Sequence, residues 1–429
     1  MKSWKLIVFG AFLVSLTLMT VAQPRTVAAQ KGGYGAMEGV PDASDAYEVV
    51  PNWPQPLQGL DWSATCCVFA ESPNRVYVFQ RGLWPTSYTD RMTPDPAHPN
   101  WPHKGLHHPY PCKTPGFTFT CTPGGGEIVD EFTKKQIPGS RRAHLLNVFD
   151  AKGKLVESFE QWNDQWIKPH ALLIDPNDPE RHVWTGDEIG ARVLKFTHDG
   201  KKLVMEVGVK NTGTHEGLDD QVHFGTVSGI GFGTNGEFYA VDSRGGRVVK
   251  FSKDGKVLME IGKKGTGPGE LRGPDSMDVD SQGRIYVVDG GGSASEARVQ
   301  VFDKGGKYLK KITIYRPAGG EESSEETHPH TIALSKDERY LYVALGGPGK
   351  PSEIRTYSVD DGKFGKGVSS WRRPLGGQPG TIWGLHDFTV DTDGNLYVTE
   401  TYGGRAWKYR PKPGANPKLL FRTLRKNTF

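Results

Sequence analysis

Four stretches share one form: IKPHALLIDP at 167–176, RGPDSMDVDS at 272–281, HPHTIALSKD at 328–337 and WGLHDFTVDT at 383–392. Each brings a Pro- or Gly-containing approach to a polar residue, then alternates apolar residues towards an acidic turn. The polar position is His170, Asp275, His330 or His386. Imidazole nitrogens and a carboxylate oxygen are ligands that zinc accepts, and three of them leave a position open for substrate. His170, Asp275 and His386 are the expected zinc set. His330 could be a further ligand or a hydrogen-bond partner for a bound oxyanion. The plainer reading is a ring of polar side chains that binds only water.

These positions need a scaffold that repeats. GEFYAVDSRGGRVVKFSKDGKVLMEIG (236–262), GRIYVVDGGGSASEARVQVFDKGGKYLKKI (283–312) and GNLYVTETYGGRAWKY (394–409) align on a turn glycine, a Tyr-centred strand and a Gly-rich turn. Alternation at period two, broken by frequent turns and no long helical pattern, reads as β-meanders, and their regular recurrence reads as a propeller. The spacing from Cys66 to Tyr77 recurs from Ser228 to Tyr239, Asp275 to Tyr286 and His386 to Tyr397; from His330 to Tyr342 it is one residue longer. Six such starts predict an all-β, six-bladed propeller over 47–429. The starts, at Cys66, His170, Ser228, Asp275, His330 and His386, would ring one mouth of the axis. His170, Asp275 and His386 then stand on alternate blades. Ring closure should pair Tyr47–Val50 or Leu419–Phe421 with the opposite end of the chain, removing an exposed sheet edge.

Residues 83–140 interrupt blade 1 with a Pro-, Gly- and His-rich insertion, read as a loop that caps one face. His98, His103, His107 and His108 within it form a rival metal-binding cluster, and Cys112 and Cys121 could staple it. Cys66 and Cys67 are adjacent in a strand, so their side chains should point to opposite faces. Buried thiols, a vicinal disulfide, or bonds to the loop cysteines all remain open. Arg81 ends the second strand of blade 1, either as an ordinary rim arginine or as a bidentate holder of a substrate carboxylate. Asp387 reads as a turn or inter-blade hydrogen bonder, or as a hard-cation ligand completed by backbone carbonyls in a Ca²⁺ site.

The first 29 residues combine Lys2 and Lys5 with an apolar run and end at Val27-Ala28-Ala29, the pattern of a cleaved signal peptide. The expected location is therefore secreted or periplasmic, with no membrane span remaining, followed by a flexible segment over 30–46. The formal charge of +4 includes Lys2, Lys5 and Arg25 of that leader, so the rest is nearly neutral and nucleic acid is not an expected partner. A monomer acting on a small molecule or peptide is expected.

The chain resembles NHL-repeat propellers. More narrowly it resembles the peptidyl-α-hydroxyglycine α-amidating lyases, which release glyoxylate to complete peptide amidation. The motifs are Val78-Phe79-Gln80-Arg81-Gly82, Lys168-Pro169-His170-Ala171-Leu172, Asp220-Gln221-Val222-His223-Phe224 and Leu385-His386-Asp387. The resemblance implies zinc at His170 and His386, calcium at the Asp387 carboxylate with the Leu172 and Val68 carbonyls, and a substrate carboxylate at Arg81. The family's third zinc histidine falls at Asp275. Its catalytic tyrosine falls around Ser243-Arg244 and its second arginine near Gly290, while Tyr402 could supply a phenol from blade 6. The resulting expectation is a metal-dependent lyase or hydrolase. The alternatives are a non-catalytic propeller that binds a protein, peptide or glycan, and a structural propeller with calcium only.

Overall fold

The alternating segments fold into six four-stranded antiparallel sheets. The computed structural model describes residues 40–57, 61–84, 109–111, 128–130, 136–137, 139–209, 222–290, 297–314, 328–347, 351–376 and 379–427. The leader 1–29, His98, His103, His107, His108, Cys112 and Cys121 lie outside these residues. So does most of the insertion, whose described parts include a two-stranded ribbon, Pro109–Pro111 with Ile128–Asp130.

The inner strands are Thr65–Ser72, Pro169–Ile174, Gly229–Phe232, Pro274–Val279, His328–Leu334 and Leu385–Val390. Each packs beside the next, and the sixth returns to the first, which makes the arrangement a closed six-bladed propeller. Closure uses the earlier of the two candidate segments. Tyr47–Val49 forms the outer strand of blade 6, pairing antiparallel with Arg405–Pro411. Leu419 instead ends a short 3-10 turn, Pro417–Leu419. Residues 42–46 depart from the expected flexible segment. Asp42 bridges to Ser370, the Ala43 N–H donates to the Ser370 carbonyl at 2.7 Å, and Ala43 and Ala46 are buried.

The repeat fixes where each inner strand begins. In blades 2, 3 and 4 the second strand ends in a buried aspartate, Asp187, Asp242 or Asp289. Asp187 accepts the N–H groups of Ile167 and Lys168, Asp242 those of Gly225 and Thr226, and Asp289 those of Arg272 and Gly273. Glu400 does the same for Trp383 in blade 6. Each acid therefore clamps the approach to its neighbouring inner strand, and a buried carboxylate finds the N–H partners it requires.

One irregularity then aims the side chains. The inner–second strand register shifts between Thr65 and Cys67, Pro169 and Ala171, Pro274 and Ser276, Pro329 and Ile332, and Leu385 and Asp387. The displaced residues include Cys66, His170, Asp275, His330 and His386. A bulge takes a residue out of the pleat and re-aims its side chain: His170, Asp275, His330 and His386 reach the axial cavities, while Cys66 stays in the core.

Candidate metal centre

The three expected ligands converge. His170, Asp275 and His386 each present one ligand atom, and these atoms lie within 4.8 Å of one another. The His170 and His386 Nε2 atoms are 3.2 Å apart, and His170 Nε2 is 3.7 Å from the Asp275 carboxylate. Bonds of about 2.0–2.2 Å to a tetrahedral ion would put ligand atoms roughly 3.3–3.6 Å from one another.

The other blades hold these groups in place. His170 Nδ1 meets the Ser228 carbonyl of blade 3 at 2.8 Å, and His386 Nδ1 meets the Cys66 carbonyl of blade 1 at 2.8 Å. Each Nδ1 therefore carries a proton to donate, leaving Nε2 with a bare lone pair. Two acceptor nitrogens facing each other at 3.2 Å need a cation or a proton between them. Burial pushes His386 well below its ordinary range, and the charges of His170, His330 and Arg81 act in the same direction. A buried neutral imidazole suits metal ligation.

His330 lies behind the set. Its Nδ1 is 2.9 Å from the second Asp275 oxygen, and its ring stacks on His386 with centroids 4.7 Å apart. Thr331 of the same blade donates its hydroxyl to the His386 carbonyl at 3.0 Å. Blades 2, 4 and 6 thus offer candidate ligands, and blades 1, 3 and 5 orient them.

The ligand ring separates two cavities. The outer one is a cleft lined by Arg81, Lys168, Glu188, Ser243, Gly290 and Tyr402, above His170, Asp275 and His386. Arg81 is buried and donates Nε–H to the Pro169 carbonyl at 3.2 Å. Tyr402 lies against Trp383, with ring centroids 5.9 Å apart. Ser243 and Gly290 bring neither a phenol nor a guanidinium.

Sequence reading missed Glu188 and the role of Lys168. The Lys168 ammonium is 2.8 Å from Glu188 Oε2, which is itself 3.7 Å from His170 Nε2. Burial pushes Glu188 upward, but Lys168, His170 and Arg81 outweigh it and hold the carboxyl at about 2. Glu188 directly follows Asp187 at the end of a second strand, the place Arg81 takes after Gln80. That equivalence was the available signal.

The inner cavity is lined by Leu172, Asp278, Asp387, Arg425 and Lys426 among others. The Asp387 oxygens accept the Val68 N–H at 3.0 Å and the Phe388 N–H at 2.8 Å. Burial raises the Asp387 carboxyl, and the charge of Lys426 opposes that rise. Val68 thus meets Asp387 through its N–H, and the cavity already carries two chain cations.

Comparison with known proteins agrees with this architecture. A family model described as a 6-bladed beta-propeller matches residues 219–294. NHL repeat-containing protein 3 of Mus musculus is 30% identical over 193 residues, covering 43% of this chain and 51% of that protein. The chain is a six-bladed β-propeller, similar to NHL-repeat proteins. It is also similar to peptidyl-glycine alpha-amidating monooxygenase B of Xenopus laevis, at 22% identity over 292 residues, or 65% of this chain and 30% of the frog protein. It therefore spans about half the length of the mouse relative and less of the frog one. Among solved structures, a protein of unknown function from Bacteroides thetaiotaomicron gives a TM-score of 0.46 at 13% identity, covering 87% of this chain and 74% of that one. Among the described residues no helix is long and apolar enough to cross a membrane.

Proposed function

We propose that this propeller is a zinc-dependent enzyme with a site related to that of the amidating lyases. Its substrate would be a small hydroxylated or peptide-like molecule carrying a carboxylate. The observation that carries this reading is the pair of bare imidazole nitrogens beside Asp275, at the floor of an open cleft. When bound, zinc would supply a Lewis acid that polarises a substrate oxygen.

The chain's own groups supply the rest. Arg81 and Lys168 line the blade 1–2 side of the cleft, where they would bind and orient an anionic group. Glu188 is held ionised next to His170, so its Oε2 is the atom placed to accept a proton from a substrate hydroxyl. Tyr402 bounds the cleft from blade 6. With Ser243 where the family has its phenol, a carboxylate rather than a phenolate is the proton acceptor. The substrate need not be the family's own.

The test has two parts. Pure protein should hold about one zinc per chain, and an α-hydroxyglycine peptide should release glyoxylate in its presence. Protein that folds and binds no zinc overturns the enzyme reading. Zinc binding without glyoxylate release rejects strict amidating-lyase activity and leaves other carboxylate-bearing substrates to assay.

A further inference from the structure

Cys66 and Cys67 do not behave as neighbours in a regular strand. Successive side chains in a pleat point to opposite faces, yet these two sulfurs lie 2.7 Å apart. The bulge between Thr65 and Cys67 explains this, since it breaks the alternation at Cys66. Both residues are buried, at 0% and 1% exposure, in a core that includes Phe79, Trp166 and Leu172. Cys66 Sγ also lies 3.4 Å from the Phe79 carbonyl. Among the described residues, the sulfur of each of these cysteines thus lies against that of its chain neighbour.

The backbone of this dipeptide supports the metal centre. The Cys66 carbonyl accepts from His386 Nδ1 at 2.8 Å and from the Thr399 hydroxyl at 3.1 Å. Two residues on, the Val68 N–H holds Asp387. Restricting rotation about the Cys66–Cys67 peptide would fix the acceptor that aims one candidate ligand.

We propose that Cys66 and Cys67 form a vicinal disulfide, a ring closed across one peptide bond that locks the blade 1 bulge and positions His386 through the Cys66 carbonyl. Two thiols lose two protons and two electrons, and one S–S bond forms. The electrons pass to the disulfide of a thiol–disulfide oxidant, which leaves as a dithiol. Exchange needs a thiolate that the oxidant can reach, so the bond forms before blade 1 packs and is shielded afterwards. The signal-like start of the sequence fits a compartment where such oxidants act.

Intact protein, denatured without reductant, treated with N-ethylmaleimide and digested with trypsin, tests the bond directly. The peptide 32–75 contains Cys66 and Cys67 and no other cysteine. It should run unlabelled, about 2 Da lighter than the dithiol form, and take two labels only after reduction. Two labels without reductant overturn the proposal, as does a cross-link from this peptide to one carrying Cys112 or Cys121. This mass result stands whether or not zinc binds. The positioning role is read separately by zinc titration of Cys67→Ser, which keeps the Cys66 carbonyl but cannot close the ring. An affinity about 10-fold weaker at unchanged stoichiometry is expected; an affinity equal to wild type overturns that role.

Discussion

His170 and His386 approach through their Nε2 atoms at 3.2 Å, each having committed Nδ1 to a backbone carbonyl of a neighbouring blade. Such a pair is held apart by geometry and drawn together only by something positive between the rings. Zinc should therefore bind at one equivalent per chain and raise the unfolding temperature. At a free concentration 100 times its Kd the stabilisation is about 2.7 kcal/mol. His170→Ala and His386→Ala should each abolish the bound metal by elemental analysis with the circular dichroism unchanged. Retention of zinc in both would place the metal elsewhere.

His330 is placed to act on the metal through Asp275 rather than by direct contact, because its Nδ1 is engaged by that carboxylate. Groups that orient a ligand in this way typically account for 10–100-fold in metal affinity. His330→Ala should weaken zinc binding by that factor and leave the stoichiometry at one. Asp275→His keeps a ligand at the third position and should keep the metal. Isothermal titration distinguishes these outcomes, and loss of stoichiometry in His330→Ala would make His330 a ligand.

The blade count was legible in the sequence, and the closing strand as one of two candidates, because turn glycines, Tyr-centred strands and period-two alternation are local signals. So was the convergence of His170, Asp275 and His386, since equivalent positions in a propeller must share one mouth. Glu188 was not, because its importance rests on Lys168 and His170 approaching it from the adjacent inner strand, a non-local fact. The vicinal sulfurs were misread for a related reason. A bulge changes which way a side chain points, and no residue type at Thr65 or Cys66 announces one.

Away from the site, Glu71 joins blades 1 and 2. It lies 2.7 Å from Arg181, 2.8 Å from His198 and 3.2 Å from Arg75. Burial pushes its carboxyl upward, but His198, Arg181 and Arg75 outweigh burial and hold it below the ordinary value. A depressed carboxylate stabilises the fold fully above its unfolded value, near 4.5, and loses that contribution as pH falls through the folded value. Glu71→Gln should cost about 2 kcal/mol at pH 7 and nothing at a pH below the folded value. Urea midpoints of both proteins from pH 7 down to 3 check this, and a gap that stays constant with pH would refute the assignment.

Gly346 ends the second strand of blade 5 against the start of blade 6, where an added Cβ would collide with the Leu385 backbone. Backbone cannot rotate aside as a side chain can, so Gly346→Ala must move one blade against the other. The cost should fall near the upper end of the roughly 1–3 kcal/mol typical of overpacking. Leu385 immediately precedes His386, so the displacement passes to a candidate ligand, and zinc affinity should fall together with stability. Gly362→Ala is the matched control, since nothing lies within 4 Å of its added Cβ, and it should stay within about 0.5 kcal/mol of wild type. Thermal unfolding with and without zinc reads both effects. If Gly346→Ala lost stability but kept wild-type zinc affinity, the blade 5–6 contact would be structural only, and the bulge at His386 would be set by its own blade.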